Sequence, residues 1–384
     1  MSRPSLPDIF ARFLRLGLTA FGGPAMVPYI RAMAVDREKW LDEASFRLGM
    51  SVCQLIPGAT AMQVSAYVGL RARGGVGALA AYVGFGLPAF LLMAVLSVFY
   101  FSAHDIPAVA AAFSGLQLVV IALILHAAVN FARRYLDTLP SKVLALLAGV
   151  WLGLKGNPIL ALVAVCVLAL FLCCDDDALP TAQAAKKVEG RPLAAALLFL
   201  AGLLLFLGVL AVFAPALFHL GVLMVKIDCF AYGGGYVSVP LMLHEVVEVR
   251  GWLTGAQFMD GLALGQITPG PIVMTGAFVG YAVAGLVGAV VATVTVFSPS
   301  LIFLCAVTPF ADRLVHSTLA RRALRGSLVS LVGLMAAVAA RFLVATHWSP
   351  AGAALALAAF VALRLGVDIL WVVLGGAGIA VLLF

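Results

Sequence analysis

Two short stretches of the chain carry the residues best suited to chemistry. The first reads CQLIPG at Cys53 to Gly58 and continues ATAMQ; the second reads GQITPG at Gly265 to Gly270 and continues PIVMT. Both lie within long apolar runs. Proline removes a backbone donor and clashes with the preceding turn, so a helix is interrupted at Pro57-Gly58 and again at Pro269-Gly270. The helix that restarts after each break has its first N–H groups unpaired. Together with the positive end of the helix dipole they make a place for an anion. Gln54, Thr60 and Gln63 on one side, and Gln266, Thr268 and Thr275 on the other, add neutral donors. One helix end contributes about 0.3 to 1 kcal/mol at a surface and up to about 2 when partly buried, so two ends facing one ion outweigh either alone. A single Pro-Gly is as well read as a simple kink; two in register, each flanked by polar side chains, favour the site.

Other candidates surround these breaks. Gly22-Gly23-Pro24 follows Phe21, and Gly233-Gly234-Gly235 follows Tyr232. Such glycines either line a substrate path or form a notch for close helix packing. Ionisable residues within apolar spans are costly and therefore candidates for function. Lys226 is placed to counter an anion and Asp260 to exchange a proton, although near an interface both side chains can reach water instead. Asp228, two residues beyond Lys226, need not pair with it on a regular helix. The six cysteines lack metal-type spacing, and no nucleotide-binding or zinc-protease motif is present. No catalytic residue, cofactor or metal site is expected, so the chain is not read as an enzyme.

The elements that hold these residues are written twice. Gly22 and Gly23 map onto Gly233 and Gly234 at a shift of 211. Trp40, Phe46, Gln54, Pro57 and Gly58 map onto Trp252, Phe258, Gln266, Pro269 and Gly270 at 212, and Gly69, Gly77 and Pro88 onto Gly280, Gly288 and Pro299 at 211. A duplicated and diverged unit keeps register in this way. The two repeats are assigned to 1–174 and 216–384, joined by a polar linker and one linking helix over 175–215.

The 384 residues are 64% hydrophobic and 11% charged, with a mean hydropathy of +1.13. Charged side chains are under half as frequent as in a soluble domain, which makes this an all-α integral membrane protein. Its apolar segments run near 10–34, 44–55 with 58–73, 77–101, 107–131, 141–155, 157–174, 192–213, 217–243, 256–268 with 270–283, 285–309, 327–346, 350–365 and 367–384. Each interrupted pair is read either as one discontinuous helix or as a re-entrant hairpin; taking each as one crossing gives about 13 transmembrane segments. With the N-terminus cytoplasmic, inner loops hold sixteen of the 24 lysines and arginines, as the positive-inside rule asks. Arg31, Arg37, Lys39 and Arg47 fall outside unless the first segment and the first interrupted one both re-enter. Either way the second repeat starts on the opposite face, and the C-terminus lies opposite the N-terminus. Inverted repeats with broken helices at matching places are the pattern of secondary transporters.

At these residues the chain resembles the chromate ion transporter family. The likeness rests on FGGP at Phe21 to Pro24, REKWLDEASF at Arg37 to Phe46, CQLIPG, GALAAYVGFGLP at Gly77 to Pro88, and the second-repeat YGGG, QITPGP and FSP. It covers nearly the whole length and has the two-domain form. The resemblance implies an inner-membrane protein that expels chromate and confers chromate resistance, with sulfate, a tetrahedral isostere, as a second candidate substrate. Gly235 stands where FGGP has its proline, and ATAMQ follows Pro57-Gly58 where more Ser and Pro are expected. Outward movement of a dianion from a negative interior releases about 4.6 kcal/mol per 100 mV, so potential alone can drive efflux. The expected mechanism is alternating access by rocking of two inverted halves about a central oxyanion site. Another anion carrier or channel of the same fold is the alternative. Partners other than substrate and lipid are not expected beyond a second copy of the chain.

Overall fold

The computed structural model describes residues 4–19, 26–103, 106–172, 191–232, 234–346 and 348–383, and every regular element among them is helical. The first repeat holds α1 (Leu6–Thr19), α2 (Val27–Arg31), α3 (Glu43–Leu55), α4 (Thr60–Ala103), α5 (Pro107–Tyr135), α6 (Leu139–Gly153) and α7 (Pro158–Leu172). Between the repeats stands α8 (Pro192–Phe213). The second holds α9 (Pro215–Cys229), α10 (Ser238–Met242), α11 (Gly255–Ile267), α12 (Thr275–Val307), α13 (Ala311–Val315), α14 (Thr318–Ala345), α15 (Pro350–Arg364) and α16 (Ile369–Leu383).

Local chemistry sets where these helices begin. Proline occupies the first turn of α5, α6, α8, α9 and α15, where its missing N–H costs nothing. Asp42 caps α3 by accepting the Ser45 N–H at 2.7 Å, and Thr138 and Ser141 form a reciprocal capping box on α6. Five helical stretches are long and apolar enough to cross a membrane: Thr60–Ala103, Pro107–Tyr135, Pro192–Phe213, Ile272–Val315 and Thr318–Ala345. Four shorter apolar helices, α6, α7, α15 and α16, accompany them. The protein is a multi-pass membrane protein.

The duplication is visible in the backbone. A π-helical turn spans Ala32–Arg37 and another Leu243–Val249. Left-handed or otherwise positive φ values fall at matching positions: Lys39 and Gly251, Gly58 and Gly270, Gly74 and Gly285, Lys155 and Gly366. At Gly74 the 44-residue α4 folds back on itself, and α12 does so at Gly285. Gly69 then lies against Gly77 and Ala81, and Gly280 against Gly288 and Ala292, contacts that a straight helix cannot make. α4 and α12 are therefore each two antiparallel arms packed on glycine.

The first interrupted pair is a hairpin. Gly49 on α3 presses on the Tyr67 ring of α4, and Arg71 donates to Ser45 Oγ at 2.8 Å. Residues equally far before and after Gly58 thus face each other, which a collinear discontinuous helix would forbid. The stretch before it also returns, since Arg12 on α1 pairs with Glu38 beyond α2 at 3.0 Å. Arg73 in turn donates to the Pro4 carbonyl at 2.9 Å. Arg12, Arg31, Arg47, Arg71 and Arg73 are gathered at one end of this part of the chain, where Arg31 and Arg47 both bind Glu43 and hold its carboxyl below the usual range.

The chain forms two compact units, and neither follows a sequence half. One comprises 1–94, 175–238 and 268–321, with α9 packed along α12 and α8. Within it, Gly58 of the first repeat rests on Ser300 of the second, and Gly270 of the second rests on Ala89 of the first. Ala89 and Ser300 are themselves equivalent, each following the proline at 88 or 299. The other unit comprises 95–174, 239–267 and 322–384, with α5 packed on α11, α15 and α16. There Gly115 meets Ala380 while its counterpart Gly326 meets Ala169. Reciprocal contacts of this kind are the mark of a two-fold relation between the repeats.

Candidate anion site at the helix breaks

Gly58 is buried within the first compact unit with φ +121°, a conformation that favours glycine. There is no room for a side chain: a Cβ would fall on the Ser300 Cβ, 2.7 Å from Gln63 Nε2 and 3.0 Å from Ser300 Oγ. The Gly58 N–H donates to the Ala231 carbonyl at 3.0 Å, which ties the first Pro-Gly break to the residue before Tyr232. Gly234, with φ +100°, has Thr60 Oγ1 as its nearest neighbour, 3.9 Å from the place of a Cβ. Gln63 is fully buried and its Nε2 donates to the Pro57 carbonyl, a group left without a helical partner where α3 ends. Its Oε1 is buried and has no hydrogen-bond partner.

Three further residues complete this junction. Pro299 interrupts α12, and the Ser300 N–H donates to Asp228 Oδ2 on α9 at 2.8 Å. Tyr82 Oη donates to the Phe297 carbonyl at 2.9 Å and lies 2.8 Å from Ser300 Oγ. Its ring meets the Phe297 ring edge-on, with centroids 6.2 Å apart. Asp228 is completely buried. A cavity of about 340 Å³ between the arms of α4 and α12 is walled mainly by Met, Leu, Val and Phe, with Tyr82, Thr293 and Ser298 among them, and among the described residues no charged side chain lines it for a hydrated dianion.

Of the residues singled out by sequence, the structure brings Gly58, Thr60, Gln63 and Gly234 together in this unit. Gln54 lies half-buried on the last turn of α3, and Lys226 half-buried on α9. Thr268, Gly270 and Thr275 surround the second break in the same unit, where the Thr275 hydroxyl turns back to the Ile272 carbonyl at 2.8 Å. Gln266 and Asp260 belong to the other unit. There Asp260 is buried, and its two carboxylate oxygens accept from Tyr100 Oη at 2.8 Å and Gln117 Nε2 at 2.9 Å. Gly22, Gly23 and Gly233 lie outside the described residues. Sequence reasoning missed Tyr82, Ser300 and the Asp228 contact. GALAAYVGFGLP contains Tyr82, and Ser300 directly follows the FSP motif, but nothing in a linear pattern puts them beside Gly58.

Paired helix breaks, a duplicated backbone and buried polar groups around the first break fit a polytopic membrane protein of the transporter type. The sequence profile described as chromate transporter matches residues 7–171 and again 218–381, and the chain belongs to that family. An uncharacterized transporter of Methanocaldococcus jannaschii is 42% identical over 352 residues, covering 91% of this chain and 87% of its own. A chromate transport protein of Pseudomonas aeruginosa is 32% identical over 87% of this chain and 80% of its own, and one of Cupriavidus metallidurans is 31% identical over 80% and 75%. No solved structure matches.

Proposed function

We propose that this protein carries chromate out of the cell across the inner membrane, with the membrane potential as driving force, at a site built where the two Pro-Gly breaks meet the opposite repeat. The observation that carries the reading is the reciprocal seating of Gly58 on Ser300 and Gly270 on Ala89. It seats each break on the opposite repeat within the first compact unit, in keeping with one site that draws on both repeats. Gln54, Thr60 and Gln63 flank one break along the chain and Gln266, Thr268 and Thr275 the other, with Lys226 as a formal cation of the first compact unit and Gly234 allowing close approach. Asp260 is the candidate coupling carboxylate, and sulfate is the competing substrate. The substrate assignment is supported by the names of the Pseudomonas and Cupriavidus relatives.

The topology follows from the hairpins. With both early stretches of each repeat re-entering, nine helices cross the membrane in place of the 13 expected from apolar length: the second arm of α4, α5, α6, α7, α8, the second arm of α12, α14, α15 and α16. The repeats remain inverted because an odd number of crossings still separates them. Arg31, Arg37, Lys39 and Arg47 move to the cytoplasmic side, so twenty of the 24 basic residues are inside. Long-range polar contacts agree with this arrangement. Arg325 with Asp137, Arg322 with the Leu170 carbonyl and Arg364 with Asn130 all join inner groups. Arg341 with Glu248 and with the Leu152 carbonyl joins outer ones. Each compact unit draws on both repeats, and the motion proposed is therefore a rearrangement at the breaks in place of half-against-half rocking.

Replacing Gln54 or Gln266 by Ala tests the site. Cells expressing either variant are expected to lose chromate resistance while keeping normal protein in the membrane; full resistance in both removes these glutamines from the site.

A further inference from the structure

Asp228 and Gln63 are both without solvent exposure, and each presents one oxygen, Oδ1 and Oε1, that has no hydrogen-bond partner. They meet the same junction. Ser300 holds the other Asp228 oxygen through its backbone N–H, and Ser300 and Gln63 both press on Gly58. An unpartnered acceptor buried in this way is costly, and two at one junction call for a donor. A proton on Asp228 Oδ1 turns that oxygen from acceptor into donor, and a carboxamide oxygen such as Gln63 Oε1 is able to accept.

The ionisable groups on the packed elements are few. Helix α8 has none, and α12 carries only Tyr281 and Cys305. Tyr82 on α4 is engaged with Phe297 and Ser300, while Arg71 and Arg73 lie toward the other end of its first arm. On α3 the ionisable group nearest the Pro57-Gly58 break is Cys53, while Glu43 and Arg47 lie in its first turns. On α9 itself stand His219, Lys226 and Cys229, and Lys226 leaves the helix in a different direction from Asp228. The position equivalent to Asp228 in the first repeat is Gly17, packed against the Phe85 carbonyl, and that equivalent to Ser300 is Ala89. The arrangement therefore occurs once, not twice.

We propose that Asp228, with Gln63 as its acceptor and Ser300 and Tyr82 fixing its position, is a proton-binding site that loads together with the transported anion. This rests on the anion site proposed above. A carboxylate beside the Gly58 break repels an anion there, and a proton taken from water removes the repulsion. By linkage the anion strengthens proton binding by the same factor that the proton strengthens anion binding. One proton accompanying a dianion halves the net charge carried.

Infrared difference spectra of the purified protein in lipid, recorded as pH is raised, read the proton without any anion. The expected result is a protonated-carboxyl C=O band that disappears with growth of carboxylate bands, is missing in Asp228→Asn, is shifted in frequency in Gln63→Leu, and survives in Asp260→Asn. If Asp228→Asn does not accumulate, Asp228→Glu moves the band instead of deleting it. A band that persists unchanged in the Asp228 variants, one that is lost in Asp260→Asn, or no titrating band at all overturns the site. Chromate binding in weak buffer with a pH dye is then expected to take up one proton per anion in the parent and none in Asp228→Asn. A titrating band with no proton uptake on chromate binding overturns the coupling, while absence of chromate binding with the band intact refutes the substrate and leaves the proton site standing.

Discussion

Gly58→Ala is the sharpest perturbation of the junction. The substitution meets two separate costs. Holding a non-glycine residue at φ +121° costs about 1 to 3 kcal/mol. Fitting a methyl group 2.7 Å from Gln63 Nε2 and 3.0 Å from Ser300 Oγ, on top of the Ser300 Cβ, adds about 1 to 3 kcal/mol of overpacking. Gly74→Ala supplies the comparison, because Gly74 also has positive φ, at +68°, but nothing lies within 4 Å of its Cβ position. That variant bears only the backbone strain, about 1 to 3 kcal/mol. Thermal unfolding followed by detergent size-exclusion is expected to show at least twice the loss for Gly58→Ala, together with loss of transport that Gly74→Ala does not share. Equal melting shifts for the two variants would mean that Ser300 and Gln63 do not close on Gly58, and the junction as described would be wrong.

Removing the Tyr82 hydroxyl in Tyr82→Phe deletes the bonds to Phe297 and Ser300 and is expected to cost about 0.5 to 1.5 kcal/mol in the same melt; no change would show the hydroxyl to be dispensable. Tyr100→Phe leaves the buried Asp260 with one donor fewer, an expected loss of about 1.5 to 3 kcal/mol by chemical denaturation. At the loop between α5 and α6, the hydrogen bond from Arg325 holds the Asp137 carboxyl below its ordinary range. A depressed carboxylate stabilises above its unfolded value, near 3.9, and that stabilisation is lost as pH falls through the lower folded value. Asp137 is half-exposed, so Asp137→Asn is expected to cost under about 1 kcal/mol at neutral pH and nothing in strong acid. In a cysteine-free background, Arg37→Cys is expected to resist an impermeant maleimide in intact cells and react in inverted vesicles, with Leu154→Cys showing the opposite; external labelling of Arg37→Cys would restore the 13-crossing topology.

The duplication was legible because it depends only on position along the chain. Trp40 with Trp252 and Gln54-Pro57-Gly58 with Gln266-Pro269-Gly270 keep register, and the backbone repeats its positive φ values at the same offsets. Whether a Pro-Gly break bends a helix slightly or folds it fully back was not legible, since Pro57 and Gly58 permit both. The choice is made by Tyr67 lying on Gly49 and by Arg71 reaching Ser45, contacts across the break that leave no local sequence signal. The same limit hid the most polar part of the site. Asp228 reads as an isolated charge near Lys226, and Ser300 as the residue after a helix proline. Only tertiary packing sets Ser300 beside Gly58 and Asp228 on Ser300, and divergence has left Gly17 and Ala89 at the matching places of the first repeat.

The most direct test of the account is uptake of labelled chromate into inverted membrane vesicles carrying this protein, with an imposed potential, with and without excess sulfate, and with Gln63→Leu alongside. The account predicts saturable accumulation that collapses with the potential, falls with sulfate and is lost in the variant. Accumulation no greater than in empty vesicles, or accumulation indifferent to the potential, would contradict it.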